Sequence, residues 1–213
     1  MTIRLLQVRT GRIRTLQGPG GVTFTSAIAK EPADGPVRIT RLGLEWDQVA
    51  HPEVHGGPDQ ALLAYASEHY PLWQSEGLSA EPGDFGENLL LAGLTDQTAC
   101  IGDRFALGTA ELQVSHPRRP CATLTKRFGR SDLVARVAET RRGGWYLRVL
   151  REGWLEPGLE LRLLERPNPG ATVARVLTAM LQAAQEPAEA MALSGLPGLS
   201  EAWCRSLRTK AGA

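Results

Sequence analysis

Glycine and proline break this chain at intervals so short that long helices are excluded before about residue 165; 23 glycines and 14 prolines occur in 213 residues. Between the breaks lie β-like runs: Arg4 to Val8, Val37 to Leu42, Asn88 to Ala92, Ala99 to Phe105, Glu111 to Ser115, Trp145 to Leu150 and Leu159 to Leu164. Many short strands separated by turn residues indicate a strongly bent sheet or barrel rather than alternating strand–helix units. No glycine-rich dinucleotide fingerprint follows any of these strands. Two helices interrupt the pattern. One runs from Glu68 to Glu76, capped by Ser67 and ended by Gly77; the other starts at Ser131 and Asp132 and runs to about Arg142, ended by Gly143 and Gly144.

The pattern changes at Arg166-Pro167-Asn168-Pro169-Gly170, after which no strand-like run occurs. Residues 1–166 are expected to form the β domain and 167–213 a unit of three helices, giving an α+β, mainly β, class. Thr172 starts a helix to about Gln185, Ala188 to Ser194 form a second, and Ser200 or the turn at Pro197-Gly198 starts a last one carrying Leu199, Trp203 and Leu207 at four-residue spacing. So small a unit cannot bury a core alone. It packs either on the barrel or on a second subunit, and in the second case Leu199, Trp203 and Leu207 supply a homodimer face.

Composition narrows the function classes. The chain is 42% hydrophobic and 22% charged with a net charge of +1, an ordinary globular balance without a field that attracts nucleic acid. The first thirty residues hold Arg4, Arg9, Arg12, Arg14 and Lys30 before the first acid, Glu31, as a transit peptide would. However, Ile3, Leu5, Val8, Ile13, Val22 and Phe24 alternate as strand residues, so a first strand and a hairpin are expected. No segment approaches the ~20 apolar residues that span a membrane. Three widely spaced cysteines, Cys100, Cys121 and Cys204, suggest reduced thiols and a cytoplasmic setting.

The chemistry concentrates at Ser115-His116-Pro117-Arg118-Arg119-Pro120-Cys121. The prolines hold φ near −65° and restrict the residues before them, so Cys121 is expected on a stiff, extended segment. Arg118 and Arg119, with Lys126 and Arg127 beyond, favour the thiolate that ligates metals and attacks electrophiles. The alternative is a small buried apolar residue, as most free cysteines are. His51 and His55 invite a metal reading, but they sit in a glycine- and proline-rich loop without the rigid frame or a third ligand. Gly56 and Gly57 fit either a close backbone approach to a ligand or a plain turn. Glu87 and Asn88 lead into an apolar run, and Thr23, Thr25, Ser26 and Lys30 form a hydroxyl-rich segment ending in a cation, suited to a phosphate.

Taken in order, His55-Gly56-Gly57-Pro58-Asp59, Glu68-His69-Tyr70, Gly83-Asp84-Phe85-Gly86-Glu87-Asn88-Leu89, Gly93-Leu94-Thr95, Ile101-Gly102-Asp103, Val114 to Cys121, Gly144-Trp145-Tyr146 and Leu196 to Ser200 with Trp203 resemble MOSC domain proteins of the YiiM type. The resemblance covers nearly the whole chain. Two departures stand out: Trp46 occupies a position where the family has glycine, and Pro157-Gly158-Leu159 lacks an aspartate after its glycine.

The resemblance implies a MOSC β-barrel that holds the molybdenum cofactor, with Cys121 as the protein ligand to molybdenum. It further implies anion contacts from Ser26, Lys30 and Arg118, and a pocket lined by His55, Gly56, Gly57, Asn88 and Thr123. The implied activity is reduction of N-hydroxylated compounds such as N-hydroxylated purine bases, with His116 or Glu87 relaying a proton. Because the chain carries no flavin, NAD or iron–sulfur motif, electrons would come from a separate flavoprotein or ferredoxin-like donor. Two rivals are a carrier module without turnover and a protein that handles sulfur on Cys121.

Overall fold

The structure is a computed structural model and describes residues 2–52 and 54–212. Its strands are β1 (Arg4–Thr10), β2 (Arg14–Gln17), β3 (Thr23–Ser26), β4 (Glu31–Pro32), β5 (Val37–Thr40), β6 (Gly43–Leu44), β7 (Leu62–Ala66), β8 (Leu89–Ala92), β9 (Arg104–Leu107), β10 (Ala110–Pro117), β11 (Trp145–Arg151), β12 (Gly153–Leu155) and β13 (Arg162–Glu165). The helices are α1 (His69–Ser75), α2 (Ala122–Phe128), α3 (Leu133–Thr140), α4 (Val173–Leu181), α5 (Pro187–Leu193) and α6 (Glu201–Lys210).

Eight strands form one sheet in the order β13-β9-β10-β11-β7-β8-β1-β4, antiparallel throughout except for the parallel pair β7–β8. The stretch that leads into β13 bonds to β1: Leu5 N donates to Leu159 O at 2.9 Å, Gly158 N to Leu5 O at 2.7 Å and Leu161 N to Ile3 O at 2.9 Å. The sheet therefore curls until its β13 end meets β1, the barrel-like form expected from the sequence. Register shifts between Leu5 and Gln7 and between Val114 and His116 sharpen that curl. A small sheet, β12-β5-β6, and the expected hairpin, β2–β3, complete the β structure.

Inside, Leu5, Leu62, Leu89, Ile101, Leu112 and Trp145 are almost fully buried. The helices after residue 172 join this same apolar cluster through Val173, Val176, Leu177, Met180 and Leu193. Leu199, Trp203 and Leu207 are buried there too, so of the two alternatives this face takes the first and packs within the chain. A second apolar cluster, with Tyr65, Tyr70, Trp73, Phe85, Leu124, Leu133 and Val137, lies under α1, α2 and α3.

Several local expectations change. Ala99 to Phe105 is a turn followed by β9, because Gly102 has φ +82° and the Asp103 carboxylate takes the Cys100 N–H at 3.0 Å. Strand β7, buried along its whole length, escapes an alternation test because both of its faces are covered. Helix α2 was not anticipated. Ser67 does not cap α1; it bonds the Glu68 carboxylate instead. Helix α3 ends at Arg141 in the left-handed region, φ +59°, before the glycine pair is reached. Thr172 does cap α4, accepting from Arg175 N at 3.1 Å.

Candidate functional site

An open cleft lies beside the junction of β10 and α2. One wall comes from the end of β3 and the loop after it, with Ser26, Ile28 and Lys30. The other carries Arg118, Cys121, Thr123 and Tyr146, while His55, Gly56 and Gln60 enter from the loop before β7 and Asn88 from the entrance of β8.

Cys121 is half-buried, extended at φ −127° and ψ 163°, and immediately precedes the first residue of α2. Arg118 N bonded to Gly144 O at 3.0 Å anchors the segment before it. Gly144 itself has φ +78°, and any Cβ there would sit 2.4 Å from Ala64 O, so only glycine permits this approach. Burial opposes ionisation of the Cys121 thiol, but hydrogen bonding by His55, the Arg118 charge and hydrogen bonds from Thr123 outweigh it and bring the pKa down to about 6. The sulfur is therefore a thiolate at neutral pH. Among the expected cations Arg118 supplies this field. Arg119 instead lies over the Trp203 ring at 4.7 Å, and Arg127 pairs with Asp84.

Two polar atoms in the cleft are buried without a partner among the described residues: Arg118 Nη1 and Gln60 Oε1. A guanidinium 5% exposed with a free N–H is a strong anion donor held ready. Lys30 is different. Its ammonium pairs with Asp47, and burial, partly offset by that carboxylate, lowers its pKa. Asp47 also accepts from Gly11 N at 2.7 Å and from Asn88 Nδ2 at 2.8 Å, so one carboxylate braces the cleft wall. The residue before it, Trp46, has φ +66° with a 56% exposed side chain. This is the position where the sequence departs from the family glycine, and the backbone keeps the left-handed turn that glycine would favour.

Of the residues expected from the sequence, Cys121, Ser26, Lys30, His55, Gly56, Asn88, Arg118 and Thr123 line one cleft, while Gly57 stands just outside the lining. His116 is not there, which corrects its assignment as a proton relay. It packs against Tyr146 at 5.1 Å and Trp203 at 5.7 Å between ring centroids, and burial with the Arg148 and Arg119 charges pushes its pKa down to about 3. Buried outside the residues that line the cleft, His116 makes no direct contact with a ligand there. Glu87 is fully buried on the side of the second apolar cluster, accepting from Tyr70 Oη at 2.5 Å and Gly83 N at 2.6 Å, and burial raises its pKa. No group of three His, Cys, Asp or Glu side chains among the described residues is placed to hold a bare metal ion.

Sequence reasoning missed Asp47, Gln60 and Tyr146. Asp47 follows the noted Trp46 and Tyr146 follows Gly144-Trp145, but a strand's inward face cannot be assigned before its register is known.

Residues 51–162 match the model of the MOSC domain family. YiiM of Escherichia coli (strain K12) is 36% identical over 210 residues, covering 96% of this chain and 91% of that protein. A protein of Gibberella moniliformis named Reductase is 42% identical over 178 residues, covering 81% of this chain but 31% of the longer protein. The crystal structure of YiiM from Geobacillus stearothermophilus superposes with a TM-score of 0.81 at 31% identity, covering 98% of this chain and 99% of that one. With a family match over more than half its length and relatives aligned almost end to end, this chain belongs to the MOSC domain family.

Proposed function

We propose that the cleft holds the molybdenum cofactor, with Cys121 as the protein ligand to the metal, and that the protein reduces N-hydroxylated compounds, including N-hydroxylated purine bases, to the corresponding amines. The observation that carries this reading is the pairing, in one cleft, of a thiolate on a fixed backbone with a buried, unpartnered guanidinium N–H. A soft sulfur suits a thiolate-bound metal, and Arg118 suits an anionic group near it. Family membership and a relative named Reductase support the same reading.

When bound, the cofactor supplies the two-electron chemistry. The chain's own residues fix the sulfur, through the Arg118–Gly144 backbone bond, and keep it ionised, through His55, Arg118 and Thr123. Ser26, Lys30 and Asn88 give the opposite wall its polar character, and Asp47 holds Lys30 and Asn88 in place. Water at the open cleft, rather than His116 or Glu87, is the proton source in this reading. Electrons come from a separate flavoprotein or ferredoxin-like donor.

The test is to purify the protein from a cofactor-competent host and measure molybdenum content together with N-hydroxylaminopurine reduction by an artificial electron donor, beside Cys121→Ala. Molybdenum and amine product in the wild type, and loss of both in the variant, are expected. Equal metal and equal turnover in the two proteins would sink the assignment. Bound cofactor without product would favour a carrier, and a persulfide on Cys121 in metal-free protein would favour sulfur handling.

A further inference from the structure

Gln60 Oε1 is buried in the cleft without a hydrogen-bond partner among the described residues. A buried amide oxygen left unpaired is destabilising, and native proteins pair nearly all such atoms. The backbone that carries Gln60 is not a loose loop. Gln60 ends the short 3-10 turn Pro58–Gln60, its N–H bonds Gly57 O at 3.0 Å, and its neighbour Asp59 is held on both sides. The Asp59 carbonyl accepts from Ser115 Oγ of β10 at 2.6 Å, and its carboxylate accepts from Arg148 Nε of β11 at 2.8 Å. The turn is thus stapled to the two strands that deliver Arg118 and Tyr146.

We infer that Gln60 is a recognition residue whose side-chain carbonyl accepts an N–H from a nitrogen heterocycle bound in the cleft. This rests on the proposed function for the identity of the heterocycle, but not for the existence of the subsite. Gln60, with its orphan acceptor Oε1, and Arg118, with its orphan donor Nη1, line the same cavity. Together they fit a ligand that presents both an N–H and an acceptor or anionic group, the chemistry shared by a pterin and by an N-hydroxylated purine. Asp47 and Asn88 line the same cleft, and the Asp47 oxygens and Asn88 Oδ1 already accept from Gly11 N, Asn88 Nδ2 and Leu63 N.

Gln60→Met keeps the side-chain length and removes the acceptor. Removing an unpaired buried acceptor does not weaken the fold, so the variant is expected to melt at or above the wild-type temperature. Two titrations then locate the donor: a plain pterin on cofactor-free protein, and N-hydroxylaminopurine on cofactor-loaded protein. A loss of about tenfold in affinity, typical of one hydrogen bond to a buried acceptor, is expected in one of them. Loss in the pterin titration assigns Gln60 to the cofactor, and loss in the purine titration assigns it to the substrate. Unchanged affinity for both, with a wild-type melting temperature, would overturn the inference and leave Gln60 as a residue satisfied by water. Wild-type protein that binds pterin through Gln60 yet never loads molybdenum would contradict the proposed function and leave this subsite standing.

Discussion

Cys121 and Cys204 are both half-buried, yet their surroundings drive them in opposite directions. Cys204, on α6, points its sulfur at Leu199 O at 3.8 Å, and burial raises its pKa despite the nearby Arg208 charge. Cys121 also suffers from burial, but His55, Arg118 and Thr123 reverse the balance and hold its pKa at about 6. Exposure does not separate the two sulfurs. What surrounds each one does: at Cys204 the nearby charges leave burial in control, whereas at Cys121 hydrogen-bond donors and a guanidinium stabilise the thiolate.

The largest expected effect follows directly. Cys121→Ala should abolish retention of molybdenum and with it turnover, while Cys204→Ala should leave both at wild-type levels; metal analysis and the amine-product assay read the contrast. Next in size is the pH dependence of alkylation. The folded pKa of Cys121 lies below the ordinary thiol value, so its thiolate persists above about pH 6 and is lost as pH falls through that point. In cofactor-free protein, iodoacetamide should label Cys121 with a midpoint near pH 6 and Cys204 only at alkaline pH. Peptide mass spectrometry resolves the two sites, and coincident midpoints would erase the distinction.

A smaller effect is expected from Arg118→Leu, which removes one of the groups holding Cys121 ionised. Its alkylation midpoint should move upward, and Cys204 should not respond. The smallest effect tests the cleft wall rather than the sulfur. Trp46→Gly relieves a left-handed residue and should stabilise the fold by about 1 kcal/mol, raising the melting temperature by about 2–4 °C. Since the indole is 56% exposed, little packing is lost, and a fall in melting temperature would show that the side chain holds the wall together.

Much of this was legible from the sequence because turn residues are local signals. Gly77 after α1 and Thr172 before α4 mark boundaries that the backbone respects, and Cys121, next to Pro120, is extended as expected. What was not legible depends on pairing across the sheet. His116 and Tyr146 look equally suited to a site, and only the coordinates show that, paired across β10 and β11, one packs against Trp203 while the other lines the cleft. Likewise, nothing local foretells that Asp47 pairs with Lys30 or that Glu87, beside Asn88 before β8, bonds Tyr70 away from the cleft. Trp46 was noted as a departure from glycine, but its left-handed φ required coordinates.

The central claim is that the Cys121 sulfur binds molybdenum, and X-ray absorption at the molybdenum edge tests it most directly on cofactor-loaded protein. Wild-type protein should show one more sulfur neighbour around the metal than a loaded Cys121→Ser variant, whose hydroxyl can supply only an oxygen. An identical sulfur shell in the two proteins would contradict the account.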